Sequence, residues 1–136
     1  MKIYFAGSIR GGRSNQENYS NIIKHLQGYG EVLNKHVGRT DVFDYEKDFS
    51  EEEIYQRDLS WLKEADIVIA EVSVPSLGVG YEIAKAEEMG KDILCLYALK
   101  DENISAMIKG NKSISLKGYN DLEELYNHID TYLKGK

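Results

Sequence analysis

The chain has 136 residues, 42% of them apolar, and a formal net charge of −6 at pH 7. That length suits a single domain with a real core, and the negative charge argues against nucleic acid as the main partner, because a duplex binder carries a basic face. The only cysteine, Cys95, rules out an internal disulfide. No apolar run reaches the about 20 residues of a membrane span, so no membrane is expected as partner. The start, M-K-I-Y-F-A-G-S, is too short for a signal-peptide core, and the chain is expected to be cytoplasmic.

In chain order, Lys2–Ala6 reads as the first strand and runs into a glycine-rich loop, Gly7–Ser14. Tyr19, Ile22, Ile23 and Leu26 then recur at helical spacing, and Gly28 ends that pattern. Glu31–Asn34 reads as the second strand. The long acidic segment Val37–Phe49 reads as a solvated connection, or else as a lid over a neighbouring crevice. Ser50 and Glu53 form a capping box that starts a second helix, striped by Ile54, Trp61 and Leu62. The third strand is predicted over Ile67–Val72, followed by a loop, Ser73–Gly80, that holds the only proline, Pro75. Ser76 is placed to cap a helix over Leu77–Met89. Ile93–Tyr97 reads as the fourth strand, with Cys95 as a buried core thiol. A short helix over Ile104–Lys109, a fifth strand over Ser113–Leu116 and a helix striped by Leu122, Leu125, Tyr126, Ile129 and Leu133 complete the chain.

Five βα units without repeat or linker imply one α/β domain over residues 1–136. The expected core is a parallel sheet with helices on both faces, in the flavodoxin-like, Rossmann-like order 2-1-3-4-5. In that order a ligand crevice opens at the carboxyl ends of strands 1 and 3. The loops Gly7–Ser14 and Ser73–Gly80 lie there.

The first loop, G-S-I-R-G-G-R-S, is one letter from a P-loop, with Arg13 where the lysine belongs. A guanidinium is a poor substitute for that slim point charge. Glu71 ends the third strand in place of the aspartate that assists magnesium. A P-loop NTPase is therefore disfavoured, and a response-regulator receiver lacks its acidic residues. A flavodoxin-type flavin carrier stays open. Gly7, Gly11 and Gly12 allow backbone amides to approach a ligand, Ser8 adds a hydroxyl, and Arg10 and Arg13 add forked donors. With Ser76 and the first amides of the third helix, these groups could surround one phosphate. The alternative is an ordinary glycine-rich turn.

Two carboxylates stand on apolar helix faces: Asp58 beside Ile54, Trp61 and Leu62, and Glu82 beside Val79, Ala86 and Met89. Such groups are costly unless paired or used. Each alone could be a boundary residue with an ion pair. Together, flanking one crevice, they suggest glycosidic-bond cleavage. Asp58 lies about 10 Å into its helix at 1.5 Å per residue, so it reaches the crevice only if that helix starts late or tilts steeply.

The stretches Y-F-A-G-S-I-R-G-G-R, D-L-S-W-L-K-E-A-D-I-V-I-A-E-V-S-V-P-S-L-G-V-G-Y-E, I-L-C-L-Y and S-A-M-I-K-G closely resemble the 2'-deoxynucleoside 5'-monophosphate N-glycosidases, relatives of the nucleoside 2-deoxyribosyltransferases. The likeness runs from Lys2 to about Gly110, broken by the acidic segment. It implies hydrolysis of a deoxynucleoside monophosphate, without metal or cofactor, to base and 2-deoxyribose 5-phosphate. Glu82 would be the nucleophile and form a glycosyl-enzyme intermediate, Asp58 the acid for the leaving base, and Tyr4 would sit against the sugar and Glu82. Gly7, Ser8, Ile9, Arg10, Ser76 and Gly78 would hold the 5'-phosphate, and His36 would stand near the base. The resemblance also implies a homodimer in which Ser105 completes the neighbour's phosphate site, with Met107 near the base. His25 and His128 read as helix surface. Two alternatives stay open: a deoxyribosyltransferase that passes the sugar to a second base, and a non-catalytic nucleotide-sensing domain. The preferred base is left open as well.

Overall fold

A computed structural model of the chain describes residues 1–9, 16–101 and 103–136. Five parallel strands, β1 (Lys2–Ala6), β2 (Glu31–Val32), β3 (Ile67–Glu71), β4 (Asp92–Ala98) and β5 (Ser115–Tyr119), form one sheet in the order β2-β1-β3-β4-β5. This is the expected topology. The strand period of two sends alternate residues of β1 to opposite layers. Ile3 and Phe5 pack with α1 (Gln16–Leu26) and α6 (Leu122–Lys134), through Tyr19, Ile22, Leu125 and Ile129. Tyr4 and Ala6 face α3 (Glu51–Glu64) and α4 (Leu77–Glu88), through Leu62, Val79 and Ile83. All five residues of β3 are buried, as a central strand covered on both faces requires.

The helix starts follow local capping. The Ser50 hydroxyl accepts from the Glu53 N–H at 3.0 Å while the Glu53 carboxylate accepts from the Ser50 N–H at 2.9 Å, so the capping box is present. Ser76 caps α4 by accepting from the Val79 N–H at 3.2 Å. Cys95 is a buried core thiol, as read, and burial pushes its pKa up to about 12. Among the described residues no helix is long and apolar enough to cross a membrane.

Four expectations are corrected. β2 has two residues, where four were expected. Its continuation is replaced by a side chain: Asn34, 2% exposed, accepts from the Phe5 N–H at 2.8 Å and donates to the Phe5 carbonyl. One amide thus supplies both bonds that a further strand residue would have given β1. β5 begins at Ser115, two residues later than expected, because Asn111 accepts from the Ser113 N–H in a turn and the ladder with β4 runs on to Tyr119. The acidic segment is solvated over most of its length but is not an irregular connection. It folds into a 3₁₀ turn (Lys35–Gly38) and a short helix, α2 (Val42–Glu46), with Val37, Val42 and Glu46 buried. Finally, His25 and His128 lie on helices but are only part-exposed and bind across the fold. His25 Nε2 is 2.7 Å from Asp130 Oδ1 and the ring stacks on Tyr126 at 4.2 Å, tying α1 to α6. His128 Nε2 reaches the Gly118 carbonyl at 2.9 Å.

The Asn34 bridge makes a stability prediction. Asn34→Ala leaves the buried Phe5 N–H and C=O without their partner and should cost about 2–3 kcal/mol. Chemical denaturation of the variant against wild type checks this, and an unchanged midpoint would show that the bridge does not hold β2 to β1.

Candidate active site

A cavity of about 1080 Å³ opens beyond the carboxyl ends of β1 and β3. Gly7 and Ile9 enter it from the end of β1, Ser76 and Gly78 from the first turn of α4, and Glu82 from the next turn. Asp58 enters from α3, and Ser105 and Met107 stand at the rim beside α5 (Ala106–Lys109). Both carboxylates expected from sequence therefore meet in one space. Helix α3 starts at Glu51, as its cap dictates, so a late start does not explain how Asp58 arrives. Instead the cavity runs along α3 past Ile54 to Asp58.

At its floor the Tyr4 hydroxyl donates a hydrogen bond to Glu82 Oε2. Tyr4 is 1% exposed. Burial raises its pKa well above the ordinary phenol value, and the Glu82 and Asp58 charges raise it further, so it remains a donor. Desolvation likewise pushes the Glu82 pKa up to about 8. The Tyr4 hydrogen bond opposes that rise, and the charges of Asp58 and Glu46 add to it. Asp58 is also raised by desolvation, against the charge and hydrogen bond of Arg57.

Two residues with no role in the sequence reading complete the wall. Arg57 Nε donates to Asp58 Oδ1 at 3.0 Å, while its Nη2 donates to Glu46 Oε2. The guanidinium lies between the Phe49 and Trp61 rings, 5.4 and 4.9 Å from their centroids. Burial would raise the Glu46 pKa, but hydrogen bonds from His36 and Arg57 and their charges win, and it falls to about 2. Arg57 could have been noticed as the neighbour of Asp58 in sequence. Glu46 carried no signal: it sits in the same acidic run as Glu51, Glu52 and Glu53, which are all exposed.

The remaining expected residues divide. His36 is buried and its Nε2 lies 3.1 Å from Glu46 Oε2. It stands behind Glu46 and lines a second, smaller cavity of about 510 Å³ on the far side of the acidic segment. Ser8 is buried and does not line the main cavity, and its N–H donates to the Tyr19 hydroxyl at 3.0 Å. Gly7 answers first to packing, since a Cβ there would lie 2.9 Å from the Phe5 ring and 3.2 Å from Tyr19. At Gly78 a Cβ would meet only Ser76 Oγ, at 3.8 Å, so the space over the first turn of α4 is open to a ligand. The Ser105 hydroxyl accepts from the Met107 N–H at 3.2 Å, and Met107 is 82% exposed. Arg10, Gly11, Gly12 and Arg13 lie outside the described residues.

Similar proteins match most of the chain. A protein of Syntrophotalea carbinolica, provisionally named a 2'-deoxynucleoside 5'-phosphate N-hydrolase, is 46% identical over 127 residues, 93% of this chain and 89% of its own length. The 5-hydroxymethyl-dUMP N-hydrolase of Esox lucius is 43% identical over 141 residues, covering 99% of this chain and 97% of that one. The solved structure of a CMP N-glycosidase from Clostridium botulinum superposes with a TM-score of 0.73 at 28% identity, over 97% of this chain and 99% of that chain. The sequence profile of the Nucleoside 2-deoxyribosyltransferase family matches residues 3–117. With that match and these relatives, the chain belongs to the nucleoside 2-deoxyribosyltransferase family.

Proposed function

We propose that the protein hydrolyses the N-glycosidic bond of 2'-deoxynucleoside 5'-monophosphates, releasing the free base and 2-deoxyribose 5-phosphate. The observation that carries this reading is the meeting of Glu82, bound by Tyr4, with Asp58 in one cavity. The N-hydrolase names of the relatives support water over a second base as the acceptor.

Glu82 attacks C1' of the sugar while Asp58 protonates the departing base. The C–N bond breaks as the ester bond to Glu82 forms. Water, deprotonated by Asp58, then displaces Glu82 and returns C1' to its original configuration. Tyr4 orients Glu82 and crowds the position of a 2'-hydroxyl. The first turn of α4, with Ser76 and Gly78, receives the 5'-phosphate together with Gly7, Ser8, Ile9 and Arg10. Binding energy from that remote group lowers the barrier at C1'. The protein works in the cytoplasm as a homodimer. Leu77, 96% exposed, and Met107 support an apolar contact at the cavity rim, through which Ser105 would reach the neighbour's phosphate.

Incubation with each deoxy- and ribonucleoside monophosphate and with the free deoxynucleosides, followed by chromatography of released base, tests the reading. Deoxynucleotides should be cleaved and the other two classes poorly. Equal rates on dGMP and deoxyguanosine would remove the phosphate pocket, and base transfer in preference to hydrolysis would make the protein a transferase.

Substitution tests the roles. Glu82→Ala should lose on the order of 10³-fold or more in kcat, with nucleotide binding kept. Asp58→Asn should lose about 10²–10⁴-fold. In methanol-containing buffer, wild type should also form methyl deoxyriboside phosphate of the substrate's anomeric configuration. Inverted product would make Glu82 a general base.

The titration of Glu82 has a readable sign. The attacking form pairs ionised Glu82 with protonated Asp58, so kcat/KM should fall once both are ionised, with an alkaline limb at a pKa of about 8. Tyr4→Phe removes the hydrogen bond that holds this pKa down, and should move the midpoint to higher pH. A profile flat between about pH 6 and 9 would mean that another group limits the rate.

A further inference from the structure

Glu46 has no part in the steps above, yet it lines the same cavity as Asp58 and Glu82. It is 6% exposed, and its Oε2 accepts a hydrogen bond from Arg57 Nη2. The same guanidinium reaches Asp58 Oδ1, through Nε at 3.0 Å and Nη2 at 2.9 Å. Its Nη1 is buried and has no hydrogen-bond partner among the described residues. Two carboxyl groups therefore share one guanidinium. The Phe49 and Trp61 rings that lie against it bring no charge to alter that balance.

That balance decides what Asp58 can do. Against the desolvation of its site, His36 and Arg57 keep Glu46 ionised through the neutral range. Glu46 then neutralises Arg57, and the trio is neutral only while Asp58 holds its proton. Ionising Asp58 as well would set two negative charges on one guanidinium in a half-buried wall. Without Glu46 the guanidinium would act on Asp58 alone and draw its proton off. Burial raises Asp58 most, the charge of Glu46 adds to that rise, and Arg57 opposes it. The charge of Glu46 also adds to the effect of desolvation on Glu82. The other titratable groups that act on Asp58 or feel its charge are Tyr4 from β1, His36 from the 3₁₀ turn and Glu82 from α4.

We infer that Glu46 is a positioning residue for the proton of the reaction: by holding Arg57 through Oε2 it offsets the charge of the arginine, so that Asp58 keeps the proton it gives to the leaving base. Arg57 in turn fixes the Asp58 carboxyl by its Nε. The inference rests on the proposed hydrolase reading, which makes Asp58 the acid. It gives the acidic segment a task in the reaction, since that segment supplies Glu46.

The pH dependence of kcat/KM reads that proton in the free enzyme. It is measured on the 2'-deoxynucleoside 5'-monophosphate that wild type cleaves fastest. Glu46→Gln removes the negative charge, and the alkaline limb should move to lower pH by about one unit. Arg57→Met removes the positive charge, and the limb should move about as far to higher pH. Both variants are expected to be slow, but the position of the limb does not depend on its height. A wall that merely loosened would admit water to both carboxyl groups and lower the limb in both variants, so opposite signs separate charge from structure. The double variant should bring the limb back toward wild type. Glu46→Asp keeps the charge, and its limb should stay with wild type while that of Glu46→Gln falls; this comparison decides if Arg57→Met does not fold. Limbs that stay put, or that fall together in Glu46→Gln and Arg57→Met, would overturn the inference and leave the hydrolase reading standing. Equal falls in Glu46→Gln and Glu46→Asp would do the same. No cleavage of any deoxynucleoside monophosphate by wild type would overturn both.

Discussion

Glu82 puts a carboxyl group on the inward side of α4, on the helix that buries Val79, Ile83 and Ala86, where it is half-buried at the cavity. A carboxylate in that position is tolerated only if it is bonded or neutral. Tyr4 supplies the bond, and much of the architecture can be traced to the need to bring that phenol there. β1 must be central so that a tyrosine on one of its faces is buried. Its register with β3, pairing Tyr4 with Val68 and Ala6 with Ala70, sets the height of the ring beneath α4. Ala6 and Ala70 leave room on that face, while Ile3 and Phe5 fill the opposite layer.

Among the described residues, Arg57 is the cation bonded to the acids of the cavity, and the charge pattern follows from which acids it reaches. Arg57 bonds Glu46 and Asp58 and has no bond to Glu82. Glu46 consequently titrates at about 2 and Glu82 at about 8, with Asp58 raised above the ordinary carboxylate value despite its arginine. A positive charge developing on the sugar would be met by a cluster in which the least stabilised carboxylate, Glu82, has most to gain. That is the difference between ground state and transition state on which rate acceleration depends.

The acidic segment illustrates how composition misleads. Between positions 37 and 49 its charges suggest a solvated loop, and Asp44, Lys47 and Asp48 are indeed exposed. Yet Val37 and Val42 pack inward, and Tyr45 stacks on His36 at 5.4 Å. Glu46 is drawn in because Arg57, on α3, donates to its Oε2. One buried ion pair thus turns a polar connection into a wall of the cavity.

Strand positions, the helix starts at Ser50 and Ser76 and the two inward carboxylates were legible in the sequence because each is a local property: a period of two or 3.6, a cap, an acid on an apolar stripe. The two loops themselves pointed to Gly7 and Ser76, the family resemblance added Tyr4, Ile9 and Gly78, and Gly7, Ile9, Ser76 and Gly78 do meet at the cavity. The extent of β2 was not legible, since Asn34 replaces a strand residue by bonding a backbone 29 positions away. Neither was the pairing of Glu46 with Arg57, 11 residues apart and held in place by rings from Phe49 and Trp61. The sequence by itself determined which side chains turn inward, because periodicity is written along one helix or strand. Which inward groups meet, and therefore which carboxyl is charged, was decided only by tertiary structure, because desolvation and ion pairing depend on distances between elements that no single stretch of chain contains.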